Sequence, residues 1–147
     1  VKDRVRAVLV TPNDKVLLIR RERPHTPVYW VLPGGGVEST DASREDALRR
    51  EVHEELAGVP EIHGLLQIVH GTADREFVYL ARITSWSFPD RTGLEFNEAG
   101  RGAYHLDAVP LTMAALEAIN LKPGAVADLL LATLSDHGDL FASTRGG

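Results

Sequence analysis

Apolar residues recur along the chain with two different periods. Arg4 to Thr11 is rich in valine, and a second apolar run from Val16 to Arg20 follows the turn residues Pro12, Asn13, Asp14 and Lys15. Two such runs around such a turn predict a β-hairpin. Glu22 to Val28 holds two prolines and reads as a loop, after which Tyr29 to Leu32 gives a short apolar run ending at Pro33 and three glycines. The period then changes from two to about 3.6. Leu48, Val52 and Leu56 repeat at i, i+4, and Ser43 stands as an N-cap with Asp46 three residues on, a weaker form of the capping box. The spacing predicts a helix from Ser43 to about Ala57, stopped by Gly58 with Pro60 beyond it.

Two further runs, Ile62 to Val69 and Glu76 to Ile83, predict strands. Ser85 to Gly102 holds Pro89, Gly93, Gly100 and Gly102 and reads as a long loop, of a kind that carries function more often than a short one. Ala103 to Val109 returns to the sheet. Thr112 to Ile119 and Ala125 to Leu134 then read as helices separated by the segment LKPG. The order of elements predicts a mixed α/β domain with helices packed on a sheet. Residues 1–142 are expected to form one domain, and 143–147 a flexible tail.

Composition narrows the class. A chain of 147 residues, 44 % hydrophobic and 25 % charged, is long enough and ordinary enough to bury one core. It has no cysteine, which excludes disulfides and thiolate metal sites. No apolar run approaches the roughly 20 residues that span a bilayer, and VKDRVRAVLV lacks the apolar region of a signal peptide, so a cytoplasmic protein without a membrane partner is expected. The net charge of -5 disfavours nucleic-acid polymers as partners, since such binding rests on cations meeting phosphates. An acidic chain that binds phosphate needs a local basic cluster or a metal ion.

The helix supplies the chemistry that calls for one. Glu51, Glu54 and Glu55 fall within an arc of about 100° on its surface. Glu55 projects beside Leu48, about 20° from it, so it borders the sheet-facing side, where a carboxylate without a partner is costly. Arg50 is placed to pair with Glu54, and Arg49 with Glu45 on the exposed side. Such a helix alone reads as a solvated, salt-bridged surface. Beside a glycine turn, the same oxygen ligands suit Mg²⁺.

Those residues resemble the signature of the Nudix (MutT-like) hydrolases, G-x5-E-x7-R-E-U-x-E-E-x-G-U with U aliphatic. Gly35 matches the first glycine, Asp41 falls at the first acid, and Arg50, Glu51, Val52, Glu54 and Glu55 match the core without a gap. The upstream run WVLPGGGVE also resembles the family's strand and turn. Three departures stand out: aspartate replaces the first glutamate, eight residues rather than seven separate it from Arg50, and two rather than one stand between Glu55 and Gly58. None of them removes a carboxylate from the core. Whether the shorter Asp41 pairs with Arg50 or with the loop backbone stays open.

The resemblance implies a Nudix-type α/β/α sandwich with a mixed sheet. It also implies Mg²⁺-dependent hydrolysis, with Mn²⁺ as a substitute, of a nucleoside diphosphate linked to a further group, by water attack at phosphorus. Catalytic residues would be Arg50, Glu51, Glu54, Glu55 and a distant acid. Metal ligands would be Gly35, through its carbonyl, with Glu51, Glu54 and Glu55. For the distant acid Glu98 is preferred over Glu95 and Glu76. Arg20, Arg23 and Glu38 are the candidates for substrate binding, Arg21 extending the basic run; a solvated basic loop is the competing reading. Tyr29 and Trp30 either stack a nucleobase or belong to the core. His70 is read as surface, and His25, His53, His63, His105 and His137 form no zinc-ligand spacing.

Within such a family, the proline that marks ADP-ribose hydrolases and the tyrosine of diadenosine polyphosphate hydrolases are absent from the window after Gly58, although Tyr79 stands only a few residues late. The upstream motif of coenzyme A hydrolases is absent too. Elimination leaves a nucleoside triphosphate or a nucleotide sugar as substrate. A non-catalytic nucleotide-binding sensor on the same fold is the alternative, and a homodimer is a common assembly among proteins of this kind.

Overall fold

The structure, a computed structural model, describes residues 2–88 and 103–141. Its centre is an eight-stranded mixed sheet. β1 (Lys2–Val10) runs parallel to β6 (Asp74–Arg82) along its whole length, and β5 (Glu61–His70) covers the far side of β6 in antiparallel register. β2 (Lys15–Glu22) touches β1 only at the Val10/Val16 pair before the two strands diverge. Into the gap come β4 (Gly34–Gly36), paired with β1, and β3 (Tyr29–Val31), paired with β2, while β7 (Ala103–Pro110) lines the opposite edge of β2. The predicted hairpin is therefore real only at its turn.

Alternation along the strands sends two sets of side chains to opposite faces. Val5, Ala7, Leu9, Leu17, Phe77 and Tyr79 face α1 (Arg44–Leu56), whose Leu48, Val52 and Leu56 are fully buried against them. Val8, Val10, Val16, Leu18, Val78 and Leu80 face α2 (Met113–Glu117) and α3 (Gly124–His137) through Leu116, Val126, Leu130 and Leu134. Two cores on either side of one sheet make the α/β/α sandwich. Each fully buried aliphatic side chain contributes about 1.5–3 kcal/mol, so α1 is fastened to the sheet largely by its three apolar residues.

Several boundaries differ from the sequence reading. The three glycines form strand β4 rather than a turn, because Gly36, Gly35 and Gly34 register against Arg4, Val5 and Arg6. Gly34 has φ +153, a conformation open to glycine, and a Cβ on it would lie 2.9 Å from the Arg6 Cα. The α1 stop is Ala57, in the left-handed region with φ 48, and not Gly58. Gly58 is needed for another reason: a Cβ there would stand 2.7 Å from Ile83 Cδ1. Within LKPG, β8 (Leu121–Lys122) pairs with β3, so that segment extends the sheet instead of merely separating helices. α2 is shorter than expected and α3 longer, and Glu22 closes β2 rather than opening the loop. The expected tail, 143–147, lies outside the described residues. Among the described residues no helix is long and apolar enough to cross a membrane.

Candidate functional site

Helix α1 is pinned at both ends. The Ser43 hydroxyl accepts from Asp46 N at 3.0 Å, and the Ala57 N–H donates to His53 O at 2.9 Å. The helix rotation set by Leu48, Val52 and Leu56 then fixes where its acids go. Glu51 and Glu55 are 9 % and 5 % exposed at the edge of the apolar face, and the Glu54 side chain is 37 % exposed beside them. Glu55 Oε1 accepts from Gly34 N at 2.9 Å. Gly35 lies beneath Glu51, where a Cβ would meet the carboxyl carbon at 2.6 Å. β4 is thus bound to the carboxylates through its backbone and needs glycine to approach them.

Arg50 joins this group to the preceding loop. Its Nε and Nη2 donate to Asp41 Oδ1 and Oδ2, each at 2.9 Å, and Nη2 also donates to Gly36 O at 3.0 Å. Its Nη1 reaches Glu51 Oε1 at 3.1 Å and Glu54 Oε2 at 3.4 Å. Asp41 Oδ2 also accepts from Glu38 N at 2.8 Å, and Asp41 N donates to Glu38 O at 3.0 Å. Asp41 therefore takes both partners left open by the sequence. The reciprocal bonds between Glu38 and Asp41 hold the shorter acid where Arg50 reaches it. The bidentate bonds from Arg50, then the backbone bond from Glu38, hold the Asp41 carboxyl below the usual aspartate range. Asp41 first, and Glu51 after it, raise the Arg50 pKa, so the guanidinium stays charged.

One expected pair is replaced. Arg49 bonds Asp46 at 2.9 Å instead of Glu45, because Glu45 accepts from the buried Tyr79 hydroxyl at 2.8 Å. Burial, and then this bond to Glu45, push the phenol pKa up.

The other candidates separate by place. Glu38 is exposed, with its carboxylate 3.7 Å from Arg50 Nε. Arg20 lines a cleft of about 660 Å³ together with Trp86, Ser87, Phe88, Tyr104, His105, Leu106 and Asp107. Arg23 lies exposed in the loop after β2, apart from that lining. Arg21 stacks on the Tyr104 ring at 3.9 Å. Trp30 packs against the α3-side core, and its Nε1 donates to Asp107 Oδ2 at 2.8 Å, while Tyr29 is half-buried under Arg21 and Lys122. Glu76 is buried in an ion pair with Arg6 at 2.9 Å. By strand alternation it shares the face of Val78, across the sheet from α1. His70 is exposed at the end of β5. Glu95 and Glu98 lie outside the described residues.

The cleft was not foreseen as a unit. Trp86, Phe88, Tyr104 and Asp107 flank the long loop at both ends, and that clustering of aromatic residues around it was the available signal. The cleft wall is tied to α1, since Ser87 N donates to Leu56 O at 2.7 Å in the last turn of the helix.

Three carboxylates with neither sulfur nor imidazole among them are the donors a hard divalent cation selects. Gly35 gives the Glu51 carboxylate the space that a side chain would otherwise fill. Among the described residues no three such groups already converge closely enough to hold an ion. Arg50 Nη1 instead bridges two of them. The residues fit the ion in chemistry.

A two-faced sheet carrying an acidic helix fastened to a glycine strand defines an α/β/α domain with its carboxylates gathered on one layer. Residues 1–122 match the NUDIX domain, and the chain belongs to the NUDIX family of hydrolases, which act on small nucleotide substrates and generally use divalent cations. Similar solved structures include a NUDIX hydrolase from Nitrosomonas europaea, 23 % identical with TM-score 0.64, covering 92 % of this chain and 89 % of that one. A MutT protein from Methanosarcina mazei is 19 % identical with TM-score 0.61, over 94 % and 96 % of the two chains. An ADP-ribose pyrophosphatase from Streptococcus suis is 21 % identical with TM-score 0.60, over 90 % of each chain. At these identities the likeness establishes the fold. No curated protein matches the chain.

Proposed function

We propose that the protein hydrolyses the diphosphate linkage of a nucleoside diphosphate joined to a further group, a nucleoside triphosphate or a nucleotide sugar, in a Mg²⁺-dependent reaction that Mn²⁺ also supports. The observation that carries this reading is that α1 holds Glu55 on Gly34 N and Glu51 over Gly35 of strand β4, with Glu54 joined to Glu51 through Arg50. The S. suis neighbour is described as an ADP-ribose pyrophosphatase, and a further neighbour as a UDP-X diphosphatase. Both descriptions concern diphosphate bonds, which agrees with the reading.

In this mechanism Glu54 and Glu55 would hold the cation, with Glu51 and the Gly35 carbonyl as its further protein ligands. Glu54 is the most accessible of the three acids, and Glu55 is oriented by the Gly34 N–H. When bound, Mg²⁺ neutralises the diphosphate and lowers the pKa of coordinated water, which supplies a nucleophile for attack at phosphorus. Arg50 fixes Glu51 relative to the loop through Asp41. Arg20 meets the substrate in the cleft, whose aromatic walls stack the base while Asp107 reads its edge. Glu38 and Arg23 border the diphosphate from their loops, and Glu98 supplies the distant acid that accepts a proton from water.

Incubation with nucleoside triphosphates, nucleotide sugars, ADP-ribose and dinucleoside polyphosphates, with and without Mg²⁺, tests the reading by product identification. Metal-dependent release of a nucleotide and a phosphate-bearing product is expected. Absence of turnover on every compound, alongside nucleotide binding, would replace it with the sensor.

A further inference from the structure

Lys2, Arg4 and Arg6 stand at the start of β1 on the sheet face opposite α1, since they alternate with Val5 and Ala7, which face that helix. The apolar cluster under α2 and α3 takes in Val8 and Val10 of the same strand face. Beyond it the side chains of Arg4 and Arg6 are 30 % and 17 % exposed. Two acids of β6 share the face. Glu76 bonds Arg6 at 2.9 Å, leaving Arg4 Nε at 3.9 Å, and Arg6 also donates to Leu32 O at 3.3 Å. Asp74 lies in register with Lys2, but its Oδ1 turns to Gly71, where a Cβ would stand 2.9 Å from it. Among the described residues the Lys2 ammonium has no ion pair, and the Arg4 guanidinium makes no hydrogen bond. In a chain of net charge -5, this strand end keeps surplus positive charge.

The surplus lies against the proposed site. Arg4 registers with Gly36 and Arg6 with Gly34, on the strand that holds Glu51 and Glu55. Lys2 crosses the end of that strand: a Cβ on Gly36 would meet its Cε at 2.9 Å and its Nζ at 3.2 Å, while Gly36 O accepts from Arg50 Nη2 at 3.0 Å. Three glycines make a partition of backbone alone, so cations and carboxylates approach it closely from its two sides. Arg20 and Asp107 of the cleft belong to the same sheet face as Arg4, since Arg20 alternates with Val16 and Leu18, and Asp107 registers with Leu18. β1 and β2 diverge from the Val10/Val16 pair, with β4 and β3 between them. The cleft and the basic strand end thus flank β4 from opposite sides.

We propose that Lys2 and Arg4 form a subsite for the group joined to the nucleoside diphosphate, and that this group is an oxyanion rather than a neutral sugar. The proposal rests on the hydrolase reading and narrows it. With the diphosphate at β4 and the base in the cleft, the remaining group extends towards β1. An ammonium and a guanidinium give charge-assisted bonds to a phosphate or carboxylate, roughly twice as strong as neutral ones. The terminal phosphate of a nucleoside triphosphate and the carboxylate of an acidic sugar share that chemistry. Arg6 has a different part: neutralised by Glu76 and bound to Leu32 O, it braces the entry to β4.

The experiment measures kcat/KM with Mg²⁺ for matched pairs that keep the base and change the attached group. ATP, GTP and UTP are compared with ADP-glucose, GDP-mannose and UDP-glucose, and UDP-glucuronate with UDP-glucose. With the best base, the triphosphate is expected to be preferred at least about tenfold, on the scale of one hydrogen bond to a charged group. Arg4→Gln should lower the ratio of anionic to neutral substrate by about tenfold, and Lys2→Gln several-fold, with the loss carried by KM. Added salt should lower the parent's ratio as well, because both cations are accessible to solvent ions. A residue that only braces β4 would depress both members of a pair alike and leave the ratio unchanged. If Arg4→Gln unfolds well below the parent, Lys2→Gln, whose exposed side chain has no ion pair to lose, carries the comparison.

Preference for UDP-glucuronate over UDP-glucose, without preference for UTP, would assign the subsite to a carboxylate. Preference for the neutral sugars, or a ratio unmoved by both substitutions, would overturn the subsite and leave the hydrolase reading standing. Absence of turnover on every compound would remove that reading, and the proposal with it.

Discussion

Gly35 and Glu51 are in contact across the gap between β4 and α1: a Cβ on Gly35 would lie 2.6 Å from the Glu51 carboxyl carbon and 2.8 Å from its Oε2. The glycine is therefore required by the side chain above it. Gly35→Ala must push the Glu51 carboxylate away from β4, because the strand is fixed by its register with Val5. Turnover is expected to fall by about a hundredfold, the scale on which a displacement of about 1 Å acts. The accompanying stability loss should be about 1–3 kcal/mol. Steady-state kinetics and urea unfolding measure the two effects separately; unchanged turnover would remove Glu51 from the reaction.

The Asp41 contribution depends on pH with a defined sign. Its folded-state pKa is depressed, first by the bonds from Arg50 and then by that from Glu38 N. The stabilisation it confers is thus fully present above the unfolded value of about 3.9 and is lost as pH falls through the lower folded value. Arg50 stays charged throughout, so it adds no slope of its own. The stability gap between the parent and Asp41→Asn should be flat above about pH 5 and narrow steadily on acidification. Urea midpoints across a pH series read this directly. A gap that widened towards acid would contradict the ion pair.

Ala57 carries the left-handed cap of α1 at φ 48, a conformation that costs a residue with a Cβ roughly 1–2 kcal/mol. Ala57→Gly is expected to stabilise the protein by up to about 1 kcal/mol, the gain being reduced by the greater freedom of glycine in the unfolded chain. The neighbouring change, Gly58→Ala, should destabilise it, since the new methyl meets Ile83 Cδ1 at 2.7 Å. Thermal midpoints of the two variants should move in opposite directions.

These cases show what was legible in the sequence. Leu48, Val52 and Leu56 report helix and face together, and the Ser43 cap marks the start, so α1 and its acids could be placed from residues within one element. The identity of β4 could not. Three glycines signal a turn when read locally, and they become a strand only because β1 supplies a partner and α1 leaves no space for side chains. Asp107 and Trp30 are joined across 77 positions of sequence, so no local pattern announces that a cleft carboxylate is held by an indole N–H. The Asp41 pairing joins residues nine positions apart and is completed by the backbone turn at Glu38, which no periodicity announces. Local periodicity is written in neighbouring residues. Sheet register and cleft walls are agreements between distant ones.

Glu54 and Glu76 provide the sharpest contrast, since both are acids that the sequence admitted to the site. Glu54 is 37 % exposed at its side chain, and its bonds from Arg50 are long, at 3.4 and 3.5 Å. Replacing it by Gln removes a charge that folding scarcely uses. Glu54→Gln should therefore cost less than about 1 kcal/mol in stability, as exposed pairs do. If Glu54 holds the cation, turnover should fall at least about a hundredfold, the scale on which charge stabilisation of a transition state acts. Glu76 is buried on the other face of the sheet and bonds Arg6 at 2.9 Å. Glu76→Gln keeps an acceptor for that bond but deprives Arg6 of its counter-charge, so a loss of about 1–3 kcal/mol is expected. Its turnover should stay within about threefold of the parent, which corresponds to less than 1 kcal/mol in the barrier. Denaturant unfolding and kinetics on both variants test the pair together. If Glu76→Gln lost turnover without losing stability, the acid would be acting from across the sheet, and the assignment of chemistry to the α1 face would have to be abandoned.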